Sequence, residues 1–387
     1  MTILIEATAA LSGGKVYLAQ LLPRLAALAP ETRFHVLHNE DFDPARLGLA
    51  GRENLSFHRV ALPASDARNW LWVSLLKVFW RLFVFPRHWR RLGAEVAFSN
   101  TGFGPLWRPR GRRLVLALHN SMPFQPALHG EENSLPRRLR IAGLRLLLRA
   151  TTRRGDLAIV FSEELRRLVR AALPALQTAV IHHGIEWGEA ERAAPIDPPT
   201  LARHGLRQPY LLYVSQLHRY KNILPLLDAF ARLRPRHPDL SLVLVGQSAD
   251  PGYRAEIDAR IATLDLAPHV RLLDGCPRED LKPLYRAAAA AVYPSLAENC
   301  PFGLLEALAF ALPLAASNAS AMPEIAADAA RYFNPHDPDD IAHTLHQILS
   351  DDRLQHDLRQ RARSRAASFS WDRAAQLTLL SLQARNF

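Results

Sequence analysis

Apolar residues along this chain gather in short runs of four to six, and each run is followed by a longer stretch with helical spacing. Ile3-Leu4-Ile5 reads as a first buried strand. After it come a loop ending Ser12-Gly13-Gly14 and a helix from Lys15 to about Leu28. Phe34–Leu37, Glu95–Phe98, Leu114–Leu118, Leu157–Val160 and Ala179–Ile181 continue the series. Tyr210–Val214, Ser241–Val245, Val270–Leu273 and Ala290–Tyr293 repeat it further along. Short apolar runs alternating with helical segments predict parallel sheets covered by helices. The predicted fold class is α/β.

Proline punctuates this pattern between the two series. Ala193-Ala194-Pro195-Ile196-Asp197-Pro198-Pro199 has no apolar period and predicts a linker. A chain of 387 residues also exceeds one ordinary domain. The expected division is therefore 1–195 and 200–370, each Rossmann-like, with a terminal helix over about 371–387. Strand, glycine turn and helix open a Rossmann unit, but Gly13-Gly14 lacks the spacing of a P-loop.

The densest chemistry lies at Glu298-Asn299-Cys300-Pro301-Phe302-Gly303-Leu304-Leu305-Glu306. Pro301 suits a helix start, an apolar stripe from Leu304 to Phe310 follows, and Pro313 ends it. Glu298 then precedes the helix and Glu306 lies inside it. The amides of Phe302, Gly303 and Leu304 point out of the helix N-terminus, where an anion is favoured. A phosphate there would be bracketed by two carboxylates able to accept hydroxyl protons, which fits a sugar-nucleotide diphosphate. Lys221 and Arg219 follow the strand Tyr210–Val214, and a cation there would stabilise a departing diphosphate. His119 ends another strand, a setting more often structural than catalytic.

These residues carry a family resemblance. Tyr293-Pro294-Ser295, Glu298 through Ala307, Pro313–Asn318 and Pro323-Glu324-Ile325 resemble glycosyltransferase family 4, retaining enzymes with an E-x7-E signature. The spacing of the two Glu is kept, although Asn299-Cys300-Pro301 departs from the family's common Glu-Gly-Phe-Gly. The resemblance implies the GT-B fold: two Rossmann-like domains with parallel sheets facing across a cleft. The first would bind acceptor and the second nucleotide sugar, and the terminal helix would return to the first. Glu306 would hold the ribose and Glu298 the donor sugar. Lys221 and the Phe302–Leu304 amides would hold the diphosphate, with Arg219 and Ser215 beside them. Gly275 and Cys276 would lie near the base, Gly13 and Gly14 would form the acceptor or phosphate loop, and His119 would hydrogen-bond the sugar. No metal and no cofactor are implied; a GDP- or UDP-linked sugar is the substrate. Asp41-Phe42-Asp43 reads as a turn, Asp337 as a helix cap, and two cysteines do not make a zinc cluster.

Charge adds a surface. The net charge is +11, and residues 1–200 hold 27 Lys and Arg against 17 Asp and Glu, leaving 21 against 20 in the remainder. Trp70, Trp72, Lys77, Trp80 and Arg81, followed by Arg87, Arg90 and Arg91, mix aromatic, apolar and basic character; Pro136–Arg149 is a second basic segment. Such a mixture suits an anionic bilayer surface. No nucleic-acid module is recognisable. No apolar run reaches the length of a membrane span, and the opening residues lack the pattern of a signal peptide. The expectation is an enzyme of the cytoplasm, peripheral to the inner membrane, moving sugar to a glycan or lipid-linked acceptor in cell-surface polysaccharide (lipopolysaccharide) synthesis. A GT-B sugar-nucleotide epimerase or phosphorylase and a non-catalytic membrane-binding module are the alternatives.

Overall fold

The computed structural model describes residues 1–8, 12–49, 51–63, 70–125, 135–185, 187, 197–248 and 250–384. The chain divides into two compact units, Met1–Gly184 with Trp371–Phe387, and Ile185–Ser370. The division thus falls ahead of the proline-rich segment, most of which lies outside the described residues.

Unit 1 holds β1 (Thr2–Ala7), β2 (Arg33–His38), β3 (Leu55–Arg59), β4 (Val96–Ser99), β5 (Arg113–Ala117), β6 (Leu157–Val160) and β7 (Gln177–Val180). They form one parallel sheet in the order β3-β2-β1-β4-β5-β6-β7. Ile3, Leu4, Ile5, Leu114, Val115 and Leu116 are fully buried, because helices cover both faces of a parallel sheet. β3 escapes the apolar pattern: it is an edge strand whose Ser56, His58 and Arg59 interrupt the run. The helix Ser12–Leu28 starts earlier than expected, so Gly13 and Gly14 form its first turn instead of a loop. The terminal helix Trp371–Gln383 belongs to this unit; Asp372 pairs with Arg24 at 2.7 Å.

Unit 2 holds β8 (Tyr210–Val214), β9 (Ser241–Val245), β10 (Val270–Leu273), β11 (Ala290–Tyr293), β12 (Leu314–Ser317) and β13 (Ala330–Phe333), parallel in the order β10-β9-β8-β11-β12-β13. β12 and β13 are composed of small or mixed residues and give no apolar run of their own. Both sheets wind outward in two directions from a central pair, β1 beside β4 and β8 beside β11. In such sheets ligands bind past the strand C-termini at the point where the winding reverses.

Candidate functional site

In unit 2 that reversal lies between β8 and β11, and the loops leaving these two strands carry Lys221 and Glu298. Lys221 ends a single 3-10 turn, Arg219–Lys221, after which Asn222 adopts a left-handed conformation and starts the helix Ile223–Leu233. The Leu296 amide donates to the Tyr220 carbonyl at 2.8 Å and ties the two loops together. Lys221 Nζ then donates to Glu298 Oε1 at 2.5 Å, with both side chains more than nine-tenths buried. Burial opposes the Lys221 charge, but Glu298 and Tyr220 outweigh it and hold the ammonium above its ordinary pKa.

Ser320 sets the backbone of Glu298. Its hydroxyl accepts from the Glu298 amide at 2.9 Å and donates to the Glu298 carbonyl at 2.7 Å. Nothing in the linear pattern around Ser320 marks this role; its positive φ of 56° is a tertiary fact.

The helix after Glu298 spans Phe302–Ala309, with Pro301 as its N-cap, so it begins one position later than expected. Its first backbone bond runs from the Leu305 amide to the Pro301 carbonyl. The Gly303 and Leu304 amides therefore stand in the turn that lacks intrahelical acceptors. A Cβ on Gly303 would lie 2.1 Å from the Val214 carbonyl oxygen, so glycine here lets the helix start press against β8.

Glu306 is held from two sides. The Tyr285 hydroxyl donates to its Oε2 at 2.8 Å, and an Arg278 guanidinium nitrogen lies 3.6 Å from its Oε1. Tyr285 is fully buried and stacks on Phe310 within 3° of parallel. Burial, then the Glu306 charge, pushes its phenol pKa far up, so it remains a donor. Arg278 in turn lies 4.8 Å over the Trp187 ring. Tyr285 is a functional candidate that the sequence reading passed over, since a tyrosine inside an amphipathic helix reads as core.

Two expected donor contacts are engaged elsewhere. Arg219 forms a fork with Glu256 at 2.7 and 2.6 Å and lies 5.0 Å over Tyr253. Cys276 gathers with His204 and Asp280 in the one group of three possible metal ligands found among the described residues. Asp280 there already accepts from Arg203 at 2.8 Å and approaches His204 Nε2 at 2.7 Å. Burial and the carboxylates of Asp280 and Glu279 push the Cys276 thiol up to about 11, so it stays protonated at neutral pH. Gly275 turns the chain before it with φ of 69°. Ser215 leaves β8 with its amide bonded to the Val245 carbonyl at 3.0 Å.

Unit 1 has a separate polar cluster past β1, β4 and β5. His119 Nε2 donates to Asn100 Oδ1 at 2.8 Å, and Asn100 Nδ2 donates to the Gly14 carbonyl at 3.4 Å. His119, Asn100 and Gly14 are thereby brought together, and Asn100 is the member that sequence reasoning missed. The His119 ring stacks on Phe161 at 4.5 Å. Burial pulls its pKa down to about 3, which keeps the imidazole neutral. Tyr17, His183 and Trp371 pack around the same group.

The expected membrane-contact set needs correction. Lys77, Trp80 and Arg81 are buried. Lys77 pairs with Asp41 at 2.6 Å, and Arg81 lies 3.5 Å from Glu6, whose carboxylate also accepts from Thr101 at 2.9 Å. Asp41 therefore anchors a helix instead of only forming a turn. Trp72, Arg87, Arg90 and Arg91 are exposed, while the Trp70 side chain lies outside the described residues. Asp337 caps its helix through the Asp339 and Asp340 amides.

The geometry in unit 2 gathers two carboxylates and a lysine around a helix N-terminus at the sheet's reversal. Residues 202–365 match the family of glycosyl transferases group 1. The O-antigen chain mannosyltransferase B of Escherichia coli is 33% identical over 190 residues, which cover 47% of this chain and 48% of that protein. The chain spans about half the length of the curated relatives it matches. Sucrose-phosphate synthase from Thermosynechococcus elongatus superposes with a TM-score of 0.74 at 20% identity, covering 99% of this chain and 98% of that one. Anabaena HepE in complex with UDP and glucose gives 0.71 at 17%, covering 99% of each. The fold is GT-B, with a parallel-sheet α/β domain in each unit. Among the described residues, no helix is long and apolar enough to cross a membrane.

Proposed function

We propose that the protein is a retaining glycosyltransferase that moves a sugar from a nucleotide diphosphate to a glycan or lipid-linked acceptor. Its setting would be cell-surface polysaccharide synthesis at the cytoplasmic face of the inner membrane. The observation that carries this reading is the buried Lys221–Glu298 pair beside the Phe302 helix start, with Glu306 oriented one turn further along. The match over residues 202–365 and the likeness to an O-antigen chain mannosyltransferase support the same reading.

In this mechanism Lys221 and the Gly303 and Leu304 amides hold the diphosphate. Charge builds there as the bond from the sugar C1 to the phosphate oxygen breaks, so these donors act most strongly in the transition state. The acceptor hydroxyl forms the new bond to C1 on the face the diphosphate leaves, and its proton passes to a diphosphate oxygen. Glu298 accepts from donor-sugar hydroxyls and Glu306 from the ribose. His119, neutral at working pH, binds the sugar and is not a base. No step requires a metal.

Calorimetric titration with UDP- and GDP-sugars tests the pocket, and the anomeric configuration of the product tests the stereochemistry. Saturable binding of one donor, lost in Lys221→Ala and Glu298→Ala, and transfer with retention that persists in EDTA are expected. A modified free nucleotide sugar formed without acceptor would favour the epimerase alternative. Full transfer by both alanine variants would refute the site.

A further inference from the structure

The helical segment Trp70–Arg91 runs from one α-helix through a π-helical stretch, Trp80–Val84, into another α-helix. Its polarity is turned outward in an unusual sense. A helix lying on a water-facing domain directs its apolar stripe to the core and its charges to solvent. Here Lys77 and Arg81, one turn apart, point inward onto Asp41 and Glu6 and are only 5% and 7% exposed. Val73 and Trp80 share that inner face. The outer face carries Trp72, Leu75, Phe79 and Phe83, exposed by 68%, 55%, 55% and 37%. Their spacing of three to four residues makes one stripe, and Phe79 and Phe83 touch at 5.0 Å between ring centres. The two inward ion pairs fix this orientation: turning the stripe inward would pull Lys77 and Arg81 off Asp41 and Glu6 and leave those carboxylates buried without their cations.

The stripe continues into positive charge. Arg87 lies four residues beyond Phe83, donates to the Phe83 carbonyl at 2.6 Å, and is exposed, as are Arg90 and Arg91. From Trp70 to Ala94 the sequence contains five Lys and Arg and no Asp or Glu. An apolar stripe ending in exposed arginines, on a basic unit, is complementary to a surface that is greasy below and anionic above.

We propose that the outer face of this segment docks on an anionic lipid bilayer, with Trp72, Leu75, Phe79 and Phe83 entering the acyl boundary and Arg87, Arg90 and Arg91 at the headgroups. Exposed aromatic side chains supply area at low entropic cost, and each basic side chain near the surface raises affinity about fivefold. Lys77, Trp80 and Arg81 act from the inner side, holding the helix with its apolar face outward.

The test is co-sedimentation of the full chain with phosphatidylcholine vesicles with and without phosphatidylglycerol, at physiological salt. Binding to the phosphatidylglycerol vesicles is expected. Phe79→Ser with Phe83→Ser should lower the partition coefficient by about tenfold or more. Arg87→Gln with Arg90→Gln and Arg91→Gln should remove the preference for phosphatidylglycerol. Leu380→Ser, an equally exposed leucine on the terminal helix, should change nothing. Trp72→Ser gives the same readout from a single exposed position if the double serine variant fails to fold. The proposal is overturned if the wild type stays in the supernatant, if the serine variants bind as well as it does, or if the stripe proves to bury itself in a dimer that the double variant dissolves. Donor binding by calorimetry is a separate reading, so either proposal can fail alone.

Discussion

Replacing Lys221 by Met removes one ion of a buried pair and leaves the other in place. At the 2.5 Å separation of Nζ and Oε1 the attraction is about 7 kcal/mol for an effective dielectric constant of about 20. Taking both ions out of water costs several kcal/mol each, so the intact pair adds little net stability. A single deletion is different, because Glu298 is then buried without its cation, at a cost of about 3–5 kcal/mol. The double variant Lys221→Met with Glu298→Gln has no uncompensated charge and should recover most of that loss. The pair is thus expected to be nearly neutral for stability and essential for the donor. Urea unfolding of the full chain, resolved by hydrogen exchange at β8 and β11 amides, measures the cycle; calorimetry measures donor affinity. A coupling energy of at least about 2 kcal/mol is expected, with donor binding absent in all three variants. Additivity to within about 0.5 kcal/mol, or a double variant that still binds donor normally, would refute the reasoning.

Three further outcomes follow from the same geometry. Tyr285→Phe keeps the stacking on Phe310 but removes the hydroxyl that orients Glu306, so donor affinity should fall by about 1–2 kcal/mol with a melting temperature close to wild type; unchanged affinity would detach Tyr285 from the site. Gly303→Ala places a Cβ against the Val214 carbonyl oxygen and should cost unit 2 more than about 4 kcal/mol in urea unfolding. His119 is depressed to about 3 in the folded state against 6.5 when exposed, so the unfolded chain binds more protons between these values and stability falls as pH drops from about 6.5 toward 3. That loss reaches about 5 kcal/mol at most. His119→Phe should flatten the acid limb of a pH–stability curve, and an unaltered slope would place the sensitivity elsewhere.

Much of the architecture was legible in the chain. Tyr210–Val214, Ser241–Val245, Val270–Leu273, Ala290–Tyr293 and Leu157–Val160 match their strands residue for residue. The interior ones are mostly apolar because both their faces are buried, while β10 at the edge keeps enough apolar residues around the exposed Arg271 to be read. β3 and β13 lie at sheet edges, where that demand is relaxed, and β12, though buried, is built of Leu, Ala, Ala and Ser and makes no marked apolar run. The carboxylate spacing around the helix Phe302–Ala309 was also local, since a helix start and its flanking residues lie within ten positions.

What linear order left open was decided by packing. Lys221 and Glu298 are 77 positions apart and meet only because β8 and β11 are neighbours where the sheet reverses its winding. Asn100 joins His119 to Gly14 for the same reason in unit 1, across β1 and β4. On the segment Trp70–Arg91, composition alone marked aromatic and basic residues as one surface. Composition carries no direction, and buried Asp41 and Glu6 draw Lys77 and Arg81 inward. That leaves Trp72, Leu75, Phe79 and Phe83 facing out, a choice between two helix faces that only charges placed elsewhere in the fold could make.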